Sequence, residues 1–177
     1  QVELQKSNHE SDHLYRLDAK PAAETIATLF ACFREGIPVV LHNRRTPQTD
    51  PIQSINSLEL SGGPPVEIGP LRERIDLDCI ATAIFTSGSS GRPKMAAHSI
   101  RNHFESAIAS CHRVPLASSD SWLLSLDLSH VGGLGIMFRS LLSGASISIV
   151  ESGWSANAVQ LSGVTHVSLV ARQLKQL

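Results

Sequence analysis

Ile80-Ala81-Thr82-Ala83-Ile84-Phe85, followed at once by Thr86-Ser87-Gly88-Ser89-Ser90-Gly91-Arg92-Pro93-Lys94, decides how this chain is read. The first six residues form an apolar run of the length of a buried strand. The nine that follow are rich in hydroxyls and glycine and end in a lysine. A strand feeding such a loop predicts an anion-binding turn. Glycines let successive backbone N–H groups face one anion, hydroxyls add donors, and the lysine adds charge. A flexible Gly/Ser linker has a similar composition, but it needs neither an apolar strand before it nor Pro93-Lys94 and a second apolar run after it. The pattern also departs from the common NTPase loop, where glycine precedes the lysine, Ser or Thr follows it, and a helix starts immediately. Here Pro93 precedes Lys94, and Met95-Ala96-Ala97 predicts a short strand.

On either side, strands alternate with helices. His13–Leu17 predicts a strand. Pro21 suits the first turn of a helix with Ile26, Leu29, Phe30 and Phe33 at helical spacing, ended by Gly36. Ile37–Leu41 predicts the next strand, so this stretch reads as a βαβ unit with parallel neighbours. Residues 44–78 carry five prolines and Gly62-Gly63. They are expected to form loop or poorly ordered chain, with a short strand near Leu58–Leu60. After the loop, Ser99 suits a helix N-cap, and Ile100, Phe104, Ala107, Ile108 and Cys111 share one helical face. Trp122–Leu126 predicts a strand, Leu134–Leu142 a helix stopped by Gly144, Ile147–Val150 and Val167–Val170 two more strands, and Ser155–Leu161 a helix between them. The fold class is α/β, a mainly parallel sheet flanked by helices.

Composition narrows the function. The 177 residues hold 15 basic and 16 acidic side chains, a formal charge of -1, with 5% aromatics. That gives no electrostatic footprint for nucleic acid or an anionic membrane, and no stacking platform for bases. Mean hydropathy is +0.02, and no apolar stretch reaches the roughly 18–20 residues that span a bilayer. Gln1–Asp12 is polar, unlike a secretory signal. Cys32, Cys79 and Cys111 lie far apart in apolar surroundings, which predicts reduced, packed thiols in a cytoplasmic protein. His9-Glu10-Ser11-Asp12-His13 matches the zinc-protease pattern literally, but its polar neighbours give no buried helix to hold two histidines on one face, so no metal site is expected.

The string Thr86–Lys94, with an apolar stretch and His98 after it, resembles the phosphate loop of the acyl-adenylate-forming superfamily. Ser90 stands where threonine is usual there, and Met95 where glycine is common. A second stretch, Trp122-Leu123-Leu124-Ser125-Leu126 through His130 to Gly135-Ile136-Met137-Phe138-Arg139, is similar to the strand–His–Gly-rich-helix region of acyl-CoA ligases. Together with Thr165–Val170, it is most similar to the o-succinylbenzoate–CoA ligases of menaquinone biosynthesis. The resemblance covers about Leu14 to Leu177, interrupted at 44–78.

The resemblance implies an acid–thiol ligase that joins a carboxylic acid to AMP and then to coenzyme A, with ATP and Mg2+. It implies that Thr86, Ser87, Gly88, Ser89, Ser90 and Gly91 wrap the β- and γ-phosphates and that Lys94 helps position them. His130 would sit as a catalytic and substrate-binding residue where ATP meets the acyl carboxylate. Arg139 would pair with the second carboxylate of a keto-diacid. No metal ligand, nucleic acid or membrane partner is implied, and a homo-oligomer is compatible with the sequence. Members of the superfamily are longer. Residues 1–177 are therefore expected to be a partial N-terminal large domain without the C-terminal lid domain, one that adenylates poorly or not at all by itself. The rival readings are a ligase for another aryl or acyl acid and a non-catalytic nucleotide-binding module.

Overall fold

The computed structural model describes residues 14–20, 22–43, 56–57, 75–86, 94–150, 155–157 and 163–177. By contact they form two compact units, one running to Arg101 without Lys20–Ala22, the other comprising Asn102–Leu177 with Lys20–Ala22.

The first unit holds a five-stranded sheet ordered β3-β1-β2-β4-β5. Its strands are β1 (Tyr15–Asp18), β2 (Val39–His42), β3 (Asn56–Ser57), β4 (Ile80–Thr86) and β5 (Lys94–Ser99). Helix α1 (Ala23–Glu35) connects β1 to its parallel neighbour β2, as the βαβ reading expects. β3 and β4 also run parallel to their partners, whereas β5 returns antiparallel to β4. All four residues of β2 are buried, which is why that strand reads as a continuous apolar run rather than an alternation.

The buried face of α1 is Thr25, Thr28, Leu29, Cys32 and Phe33. It is turned by about one position from the expected Ile26, Leu29, Phe30, Phe33 stripe. Thr28 can be buried because its hydroxyl finds a partner within the helix, with Oγ1 donating to the Glu24 carbonyl at 2.7 Å. Burial pushes the Cys32 thiol up to about 12. Cys79, expected to be packed, is instead exposed and donates from Sγ to Asp76 Oδ2 at 3.2 Å. All three cysteines are free thiols. The 44–78 expectation falls mostly outside the described residues. The strand found there is β3 at Asn56–Ser57 rather than at Leu58–Leu60, which lies outside them, as do Pro21 and the His9–His13 pattern.

The second unit holds a three-stranded parallel sheet ordered β7-β6-β8, with β6 (Ser121–Leu123), β7 (Ser146–Ser148) and β8 (His166–Val167). The sheet predicted as one is thus two, each mainly parallel. Helix α2 (Ile100–Cys111) starts directly after Ser99, α3 (Val131–Ser143) contacts β6 and β7, and α4 (Ala171–Leu174) is short. Strand β6 is shorter than the predicted Trp122–Leu126, because the Ser125 N–H turns back to the Leu123 carbonyl at 2.8 Å. Leu134, Ile136, Met137 and Phe138 of α3 are all 0–1% exposed, each contributing about 1.5–3 kcal/mol on burial. His103 of α2 is buried and stacks on Phe138, with ring centroids 4.5 Å apart. The α2 face is therefore Ile100, His103 and Ala107, while Ile108, expected inside, is exposed. α3 stops at Gly144 in the left-handed region (φ 69°), as its position after the apolar run predicts. Among the described residues no helix is long and apolar enough to cross a membrane.

At the start of β4, Asp78 receives two bonds from Arg101, Nε at 2.6 Å and Nη2 at 3.0 Å. The Arg101 guanidinium holds the Asp78 carboxyl below its ordinary range. A depressed carboxyl contributes stability above its unfolded value, about 3.9, and loses it as pH falls through the folded value. Replacing Asp78→Asn should lower the urea midpoint slightly at pH 7, with the gap to wild type closing as the solution is acidified and shrinking at high salt. A gap constant down to pH 2 would mean that the pair contributes nothing electrostatic.

Candidate functional site

In the first unit, the relevant geometry is the end of β4. Thr86 and Lys94 are cross-strand partners in the antiparallel ladder, and Thr86 Oγ1 donates to the Lys94 carbonyl at 3.2 Å. Ser87–Pro93 is thus the connection of a β-hairpin, not a strand-to-helix loop. The structure agrees with the sequence in making Met95-Ala96-Ala97 part of a strand. Ser87, Gly88, Ser89, Ser90 and Gly91 lie outside the described residues. Thr86 and the Lys94 side chain are both exposed at the carboxyl end of β4. In parallel sheets that is the edge where ligands bind. The carboxyl ends of β1 and β2 bring Asp18 and His42 to the same edge. They are register partners, with His42 Nδ1 3.8 Å from Asp18 Oδ1 and His42 Nε2 buried without a hydrogen-bond partner. The sequence reading did not single out this pair, since each residue lies one position past the end of a predicted strand, His13–Leu17 or Ile37–Leu41.

In the second unit, β6 leads into a tight turn and then α3. Asp127 Oδ1 accepts from the Ser129 N–H at 2.8 Å and from Ser129 Oγ at 2.6 Å, which fixes the turn. His130 is the N-cap residue of α3. Its backbone is extended (φ -124°, ψ 149°), its side chain makes no cap bond, and it is exposed. The first turn of α3 holds no acidic residue. The positive end of the helix and an exposed histidine therefore meet at this turn, an arrangement that favours an anion.

The turn is kept this tight by Gly133. A Cβ built there would lie 2.2 Å from the Asp127 carbonyl oxygen, a backbone atom that cannot move aside.

Arg139 lies nine residues beyond His130, about 13 Å along the axis of α3. Its guanidinium folds back along the helix. Nε donates to the Gly135 carbonyl at 2.7 Å and Nη1 to Ser110 Oγ at 3.0 Å, while Cζ lies 4.3 Å from the centroid of the Trp122 ring. Of five guanidinium N–H groups, two are used in these bonds. The other three have no partner among the described residues, and no carboxylate is paired with the charge. Burial holds the guanidinium below its ordinary value, with the nearby Cys111 opposing. Trp122 is 3% exposed, with Nε1 buried and unpartnered, and its ring lies 5.2 Å from that of His166. Ser110 and Trp122 were missed as site residues. Neither is near Arg139 in sequence, and only the fold brings them there.

The described residues thus form a mainly parallel α/β chain, with a hydroxyl-rich connection joining β4 to β5. The family model described as AMP-binding enzyme matches residues 48–177, and the chain belongs to that family. It is 39% identical over 111 residues to the 2-succinylbenzoate--CoA ligase of Haemophilus influenzae, covering 63% of this chain and 24% of that protein. Among solved structures, wild-type E. coli MenE with a bound analogue of OSB-AMS is 27% identical, with a TM-score of 0.74 over 93% of this chain and 40% of that one. The Bacillus subtilis o-succinylbenzoate CoA synthetase in complex with its acyl-adenylate intermediate OSB-AMP shares the fold at a TM-score of 0.78 and 24% identity, over 93% of this chain and 50% of that one. The chain thus spans half or less of the length of these relatives.

Replacing Gly133→Ala should destabilise the second unit by about 3 kcal/mol, read as a drop in urea midpoint. A midpoint within error of wild type would mean that the turn relaxes freely.

Proposed function

We propose that this chain carries nucleotide and acid sites of an ATP-dependent acyl-CoA ligase, as part of its large N-terminal domain, and that the acid is o-succinylbenzoate, a keto-diacid of menaquinone biosynthesis. A carboxylate oxygen of the acid attacks the α-phosphorus of ATP, the bond from that phosphorus to the bridging oxygen breaks, and pyrophosphate leaves. The sulfur of coenzyme A, having lost its proton, then attacks the acyl carbon, and AMP departs. Magnesium arrives as part of the MgATP substrate.

In this reading Thr86, Ser87, Gly88, Ser89, Ser90 and Gly91 cradle the β- and γ-phosphates, and Lys94 adds the charge that stabilises departing pyrophosphate. His130 orients the reacting carboxylate. It need not act as a base, since a carboxylic acid is already ionised near pH 7. Arg139 takes the second carboxylate. The observation that carries the ligase reading is Thr86 set opposite Lys94 at the carboxyl end of β4, closing a hydroxyl- and glycine-rich connection. The choice of a diacid is supported by the half-buried Arg139 charge, which has no carboxylate beside it among the described residues. The free cysteines support a reducing, cytoplasmic setting.

Two variants test the reading. Lys94→Ala should weaken ATP binding about tenfold or more by calorimetry, the loss expected for a charge-assisted contact. Arg139→Ala should raise KM for o-succinylbenzoate about tenfold to a hundredfold, in an assay of pyrophosphate exchange into ATP on the intact protein, with kcat falling less. ATP affinity unmoved by the first change would sink the nucleotide assignment, and an unmoved KM in the second the choice of acid.

A further inference from the structure

We propose that Ser110 and Gly135 are positioning residues that aim the Arg139 guanidinium and thereby select an acid with two carboxylates over one with a single carboxylate. The proposal rests on the ligase reading above.

Ser110 lies in the last turn of α2. Its hydroxyl accepts from Nη1 of Arg139 at 3.0 Å. Its carbonyl meanwhile accepts from the N–H groups of Arg113 and Val114, each at 2.9 Å, so its backbone is fixed by the end of the helix. Gly135 acts on the other side of the fork. Its carbonyl accepts from Nε at 2.7 Å. A Cβ placed on it would have Arg139 Nη2 at 3.3 Å, Cζ at 3.8 Å and Nε at 3.9 Å as its three nearest atoms. The space left by the missing side chain is therefore filled by the arginine head. Trp122 supplies the floor beneath it.

Supports from α2, α3 and β6 thus fix both the place and the plane of the guanidinium, and none of them is charged. The plane matters because a carboxylate is best held by two parallel N–H bonds, which a fork offers in one orientation only. With the Ser110 hydroxyl gone, Nη1 loses its anchor and the fork can turn about the bonds that join it to the chain. With a methyl group on residue 135, the head must shift by a few tenths of an ångström. Glycine is also a poor residue for a helix interior, so alanine there should raise stability. A more stable protein that recognises the diacid less well would mean that the glycine serves the arginine, not the helix.

The test compares kcat/KM for o-succinylbenzoate with that for 4-oxo-4-phenylbutanoate, which lacks the ring carboxylate, in the intact protein. The ratio of the two should fall about tenfold in Ser110→Ala, as expected for loss of a hydrogen bond to a charged group, and return toward wild type in Ser110→Thr, which keeps the hydroxyl. Gly135→Ala should lower the same ratio while the thermal midpoint holds or rises. Should Ser110→Ala fail to fold, Gly135→Ala decides alone. A wild-type ratio in these variants, with a lowered ratio in Arg139→Ala, overturns the positioning role and leaves the ligase reading standing. A ratio unmoved by Arg139→Ala overturns the positioning role together with the choice of a diacid.

Discussion

Strand β4 is bonded in opposite senses on its two sides, parallel to β2 and antiparallel to β5, and the first unit's functional edge follows from that constraint. An antiparallel partner must come back along the strand it has just left. The chain leaving Thr86 therefore re-enters at Lys94 directly across the ladder, where paired Cα atoms sit about 4.5–5.5 Å apart. The ends of the Ser87–Pro93 connection are thereby fixed by backbone pairing, whatever the connection itself does. Ala81, Thr82, Ala83 and Ile84 bury the strand that holds them. The common NTPase loop anchors only its first end to a strand and gives the other to a helix. Here both ends belong to one sheet.

Arg101 and Arg139 show opposite solutions to the same problem. Arg101 is exposed and meets a carboxylate with two bonds. In water such a pair is nearly balanced between attraction and lost freedom. Arg139 is half-buried and, among the described residues, meets a carbonyl, a hydroxyl and an indole face. Hydrogen bonds to a charged group contribute about 1.5–3 kcal/mol each, and a desolvated cation over tryptophan about 2 kcal/mol. Those neutral contacts are of the order needed to offset the several kcal/mol lost on partial desolvation, so the cation is tolerated without an anion. Among the described residues, three of its five N–H donors have no partner.

What the sequence revealed and what it hid divide along locality. The β4–loop–β5 succession was legible because every residue that makes it is contiguous, from Ile80 to Ser99. The stop at Gly144 and the βαβ unit around α1 were legible for the same reason. Face assignments were less secure. Thr25 and Thr28 read as polar yet are buried, and the Thr28 hydroxyl returns to its own helix. His103 reads as polar yet stacks on Phe138 in the second unit's interior. Strand β3 has no apolar signal at all in Asn56–Ser57; pairing with β1 makes it a strand. In the candidate site, Arg139 was identifiable from the stretch around it. The hydroxyl and the ring that seat it come from Ser110 and Trp122, and no local pattern announces a contact made only when α2, β6 and α3 come together.

Helix α3 joins these observations, because a rigid rod with groups at set positions is also a ruler. His130 stands at one end. The Arg139 side chain returns toward that end until Nε meets the carbonyl of Gly135, as side chains on a helix tend to do. The charge thus lies about five residues, or about 7–8 Å of axial rise, from His130. A rod cannot bend to bring the two together. In the ligase reading, an acid with one carboxylate can satisfy one of these positions, and an acid with two, spaced by an aryl ketone, can satisfy both. Selectivity for a diacid then comes from the fixed interval along α3, and it holds only while the arginine head is kept one turn back from its own Cα.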